Sequence, residues 1–219
     1  MRAFAETLFD AVYLISVITI GIIMIAKSRG RKQYALFGAM AVTLGAGDAF
    51  HLVPRAIALC TTGLESYTYA LGVGKLITSI TMTAFYLLLY YVWCERYHGK
   101  RRCITASVWI LSIMRVILCL MPQNRWTEAD APLSWGIYRN VPFLLLGILI
   151  IYLFHSSSRK YNDRAFRNLY LTVVLSFAFY IPVVLFADKV PALGMLMIPK
   201  TLAYVWTVVI GYRAEMEER

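Results

Sequence analysis

Asp48, His51 and Arg55 stand at i, i+3 and i+7 in the run from Gly45 to Arg55, so a helix there carries all three on one face. A carboxylate, an imidazole and a guanidinium on one face can hold a counter-ion or pass a proton. Lys75 is followed at i+3 and i+4 by Thr78 and Ser79, and Lys200 at i+4 and i+7 by Tyr204 and Thr207. Arg115 stands alone, and Arg139 lies beside Asn140. Fixed cations with hydroxyl donors on the same helical face are the chemistry of anion recognition.

These groups stand out because of what surrounds them. The chain has 219 residues, of which 60% are hydrophobic and only 16% charged, with a mean hydropathy of +0.63. A soluble domain is about a quarter charged. The apolar residues fall in seven blocks, approximately 8–26, 34–53, 67–93, 104–121, 135–154, 169–187 and 190–212. The expected fold is an all-α integral membrane protein, a seven-transmembrane-helix bundle forming a single domain over residues 1–219. Seven spans of about 20 residues leave only short loops.

The net charge of +10 follows topology. Fourteen of the 22 basic residues lie between spans one and two (Lys27, Arg29, Arg31, Lys32), three and four (Arg96, Lys100, Arg101, Arg102), five and six (Arg159, Lys160, Arg164, Arg167), or in the tail (Arg213, Arg219). The opposite side has Arg2, Arg55, Arg125, Arg139 and Lys189. Basic short loops stay in the cytoplasm, which places the N-terminus outside and the C-terminus inside the cell membrane. Nucleic acid is therefore not an expected partner. The first block has a span's length and no small-residue cleavage site, so it is expected to be retained as a helix. Cys94 and Cys103 fall on the reducing side, and Cys60 and Cys119 near the outer end, where free thiols are favoured over a pair.

The spans also divide as 3+1+3. Ser28-Arg29-Gly30-Arg31-Lys32 with Tyr34 follows the first span, and Ser158-Arg159-Lys160-Tyr161 follows the fifth. Gly74-Lys75 and Pro199-Lys200 take comparable depths in the third and seventh. Parallel repeats of this kind occur in sugar-transporter-like proteins.

Lys75, Arg115 and Lys200 lie inside spans against Asp48 alone, and adding Arg55 and Arg139 against Asp10 and Asp188 leaves the sign positive. One charge at the bilayer centre costs about 2.5–3.5 kcal/mol, so the groups are expected to share a polar interior in the outer half. The favoured function is a transporter or receptor binding an anionic small molecule or lipid headgroup. Its candidate ligand-binding residues are Asp48, His51, Arg55, Lys75, Thr78, Ser79, Arg115, Arg139, Lys200 and Tyr204. Pro54, Gly74 and Pro199 would act as hinges, and short loops without an attached signalling domain favour transport. No metal, no cofactor and no catalytic residue is expected, and the oligomeric state is left open. The competing structural reading pairs Asp48 with Lys75 as polar glue between helices two and three.

Two other readings compete. Lys200 on the seventh helix, with Phe179-Tyr180-Ile181-Pro182-Val183-Val184 on the sixth, resembles the arrangement of microbial rhodopsins, which implies a Schiff-base chromophore on Lys200. The third span departs from that family, carrying Lys75 where an arginine and an aspartate counter-ion belong, and Lys200 follows Pro182 by only 18 positions. The second is an intramembrane hydrolase using Asp48 and His51 with Ser79. Its i, i+3 spacing is poor for a relay, and His98 and His155 lie too far away to complete a metal site with His51.

Overall fold

Without water to satisfy the backbone, an apolar chain in hydrocarbon must close its hydrogen bonds within each segment, and helices do this. The computed structural model describes residues 2–218 apart from Thr62, Lys100, Ala129 and Asp188, so the charges at Lys100, Asp188 and Arg219 lie outside the described residues. Among the described residues seven α-helices follow one another: α1 (Arg2–Lys27), α2 (Lys32–Cys60), α3 (Thr68–Tyr97), α4 (Arg102–Leu120), α5 (Leu133–Lys160), α6 (Leu169–Phe186) and α7 (Met197–Glu217). Short 3₁₀ turns at Leu64–Tyr67, Pro122–Asn124 and Pro191–Leu196 lead into or out of them. Seven helices are long and apolar enough to cross a membrane, which makes this a multi-pass membrane protein by length and composition.

Helices consecutive in sequence pack together, α7 returns to α1 and α2, and α3 also touches α5. The outward faces stay apolar, as at Ile15, Ile22, Ile110, Ile113, Ile148 and Tyr152, whereas the interior is rich in buried aromatic rings such as Phe37, Phe85, Tyr86, Phe154 and Phe166. That distribution suits a lipid surround, where the apolar face needs no cover.

The helices overrun the hydropathy blocks, because hydropathy registers only the hydrocarbon-facing stretch. α2 passes straight through Pro54 to Cys60, and α3 through Gly74. Neither residue breaks its helix, contrary to expectation. Pro54 lacks the N–H that would bond the Phe50 carbonyl, and Gly74 packs onto that same carbonyl. A Cβ at Gly74 would lie 2.3 Å from the Phe50 oxygen and 2.7 Å from the His51 Cα, so only glycine allows α3 this close. Pro199 likewise does not interrupt a helix: it occupies the first turn of α7, where a missing N–H costs little.

The end bearing the C-terminus is closed by charge. Arg96 on α3 donates through Nε (2.7 Å) and Nη2 (3.0 Å) to the two carboxylate oxygens of Asp163 in the α5–α6 connection. It also pairs with Glu218 at 2.7 Å. Tyr97 adds a 2.8 Å bond to Asp163, and the Tyr34 hydroxyl donates to Glu218. Burial pushes the Asp163 carboxyl up, but the donors from Arg96 and Tyr97 outweigh it and hold the group below its ordinary value.

Candidate functional site

In the half of the bundle carrying the N-terminus, α1 presents Glu6, Asp10 and Tyr13 at i, i+4 and i+7 along one face, toward α2. Arg55 of α2 answers Glu6, its Nε donating at 2.8 Å. Deeper, the Tyr13 hydroxyl donates to Asp48 Oδ2 at 2.6 Å. The cation that acts on Asp48 is Lys200, reaching in from the first turn of α7. Lys200 Nζ lies over the rings of Tyr180 (4.8 Å) and Tyr204 (5.4 Å).

Arg115 of α4 occupies the same region. Its guanidinium carbon is 3.2 Å from the centroid of Phe143 on α5, and its charge is close enough to repel that of Lys200. The residue is only 2% exposed. Among the described residues its Nε and Nη1 have no hydrogen-bond acceptor. Around it the rings continue, Phe143 against Tyr86 (5.0 Å) and Tyr180 (6.3 Å), and Phe85 against Tyr204 (5.4 Å). Tyr86 meets Ser176 at 3.4 Å, and the Tyr180 hydroxyl donates to Asn140 Oδ1 at 3.2 Å. Each of the seven helices thus supplies a side chain to one cluster.

The magnitudes show that this cluster is out of balance. A desolvated cation over an aromatic ring gains about 2 kcal/mol. Burying the charge costs about 2.5–3.5 kcal/mol, and each unmet donor about 1–3 kcal/mol more. The ring contact is too small to offset both.

The residues expected from sequence divide clearly. Asp48, Arg115, Lys200 and Tyr204 converge. His51 lies nearby, its Nδ1 3.3 Å from the Leu71 carbonyl, and it feels the charge of Lys75. Lys75 itself is exposed. Thr78 spends its hydroxyl on the Gly47 carbonyl (3.0 Å) and Ser79 on the Lys75 carbonyl (2.8 Å). Arg139 is engaged elsewhere, donating to Asn124 at 2.8 Å and stacking on Trp126 at 4.1 Å. With Asp48 bonded to Tyr13 and the Ser79 hydroxyl turned back on its own helix, no hydrolase relay is assembled. Lys200 sits in the first turn of α7, not midway along it as the rhodopsin likeness implies. Cys60 and Cys119 are both free thiols. No group of three or more metal-ligating side chains occurs among the described residues.

Tyr13, Tyr86, Phe143 and Ser176 belong to the cluster without being candidates in the sequence, while Asn140 stands out there only as the neighbour of Arg139 and Tyr180 only in the segment resembling rhodopsins. The signal for the first four is their recurrence as aromatic or hydroxyl residues within spans, which ordinary helix packing also produces. No protein-family model, curated protein or solved structure matches the chain.

Proposed function

We propose that the chain is a multi-pass protein of the cell membrane that binds an anionic small molecule or lipid headgroup for transport or sensing, in the bundle half carrying the N-terminus. Arg115 and Lys200 supply the charge, Tyr180 and Tyr204 the surrounding donors, and Asp48, bonded by Tyr13, the counter-charge to Lys200. The observation that carries this reading is Arg115, almost fully buried with two N–H donors unused among the described residues. An anion that accepts those donors relieves both the unmet hydrogen bonds and the excess of positive charge where two cations face the single Asp48 carboxylate. The basic loops support an orientation with the N-terminus outside and the C-terminus in the cytoplasm, so ligand approaches from the outer half. The 3+1+3 division is part of the same reading and is supported by the likeness of the turns after the first and fifth spans.

The test is thermal unfolding of the purified protein in a non-ionic detergent, titrated with phosphate, sulfate and acetate. At least one anion should raise the unfolding temperature of the wild type and leave Arg115→Gln unmoved. Equal shifts in both proteins, or none in either, would refute the assignment.

A further inference from the structure

The Phe143 ring that covers Arg115 and the Tyr180 ring, one of two beside Lys200, both have a second role. Phe143 and Tyr180 also line a cleft of about 170 Å³ between α5 and α6. The other walls of this cleft include the aliphatic side chains of Val141, Leu144, Ile181 and Val184. Val141 is 48% exposed and Ile181 38%, so the mouth opens on the apolar outer surface. Neither cation lines the cleft, which leaves the two rings as the partition between an apolar crevice and a cationic centre. The Tyr180–Asn140 hydrogen bond ties α5 to α6 along the same wall.

We propose that this cleft receives the hydrocarbon chain of a single-chain anionic amphiphile, with a carboxylate or phosphate head, that enters sideways from the lipid and brings its head to Arg115 and Lys200. The proposal rests on the anion-binding reading above and deepens it by naming the ligand class. Charge complementarity chooses the occupant. An uncharged chain leaves the buried guanidinium donors unmet, and a free anion has no use for an apolar crevice beside the site. The volume matches a cavity that holds a benzene-sized apolar molecule, so only a section of chain lies inside and the rest follows the open mouth into lipid. Access for the head requires the Phe143 and Tyr180 rings to change rotamer and the Tyr180 hydroxyl to exchange Asn140 for the incoming anion. That exchange trades one acceptor for another, so the hydroxyl is never left without a partner.

The experiment measures affinity for the n-alkyl carboxylates from acetate to decanoate, using the full chain in lipid nanodiscs. Wild type is compared with Val141→Trp, which fills the mouth from an exposed position, with Val184→Trp as a second filling variant, and with Arg115→Gln. Wild type should tighten about four-fold for each methylene that enters the cleft. Both filling variants should keep the affinity for acetate and lose the gain with length, and Arg115→Gln should lose binding at every length. If acetate binds but length brings no gain, or the filling variants gain as much as wild type through partition into the bilayer only, the amphiphile proposal falls while anion binding stands. If neither the carboxylates nor the n-alkyl phosphates of the same lengths bind, the amphiphile proposal falls, and anion binding falls with it when inorganic phosphate and sulfate also fail to bind.

Discussion

Arg115 lies under a phenylalanine ring, and Lys200 lies over two tyrosine rings with the charge of Asp48, from another helix, acting on it. The two cations differ in what satisfies them. Lys200 has Asp48, which Tyr13 orients at 2.6 Å, whereas Arg115 has ring contact in place of hydrogen-bond acceptors for two of its nitrogens. Asp48 is at once the acceptor of the Tyr13 hydroxyl and the counter-charge acting on Lys200, so neutralising it weakens both interactions. Asp48→Asn should therefore destabilise the protein by about 2 kcal/mol, the scale of a hydrogen bond to a charged group. Lys200→Met introduced in the same chain should recover much of the loss. Chemical unfolding in detergent measures both, and additive losses in the double variant would mean that the two groups do not act on each other. Asp48, Arg115 and Lys200 were legible in the sequence because an ionised side chain in an apolar run has few reasons to be there. Of their tyrosine partners Tyr204 was legible from its i+4 spacing to Lys200, but Tyr13 and Tyr180 were not, since the chain holds 15 tyrosines and periodicity says nothing of which neighbour on another helix each one faces. The same blindness grouped Lys75, Thr78 and Ser79 with the site. They do share a helical face, but the two hydroxyls on it bond main-chain carbonyls.

At the scale of the helix, positions read as breaks proved to be contacts. Gly74 lets α3 lie on the backbone of α2 at the carbonyl that Pro54 leaves without an intrahelical donor, and Pro199 begins α7. Sequence shows that a glycine or proline is present, but whether it bends a helix or admits a neighbour depends on packing that only the assembled bundle supplies. The opposite end of α3 depends on charge instead. Asp163, whose side chain is 8% exposed, binds Arg96 through both oxygens. Because its carboxyl is held below the ordinary value of about 3.9, its contribution is complete above that pH and is lost as pH falls through the depressed value. Asp163→Asn should lower stability at pH 7 by about 2 kcal/mol, with the gap from wild type closing in acid. Unfolding temperatures of the two proteins between pH 7 and pH 3 check this, and a gap that widens in acid would reverse the assignment.

For the whole molecule, the number of long apolar helices was legible from block lengths alone, because hydrocarbon thickness sets the length of a span. The closure of α7 onto α1 and α2 was not, since it depends on contacts between the ends of the chain. The proposed orientation can be tested with two native thiols. Cys60 at the end of α2 and Cys103 at the start of α4 are both exposed and lie at opposite ends of the bundle. A maleimide that cannot cross the membrane should modify Cys60 and spare Cys103 in intact cells, and the reverse pattern would invert the topology. The central claim is that an anion sits between Arg115 and Lys200, and anomalous diffraction from crystals soaked in selenate tests it most directly. The account predicts a selenium peak within salt-bridge reach of both side chains, absent from Arg115→Gln. Full soaking with no peak there, or a peak that survives the substitution, would contradict it.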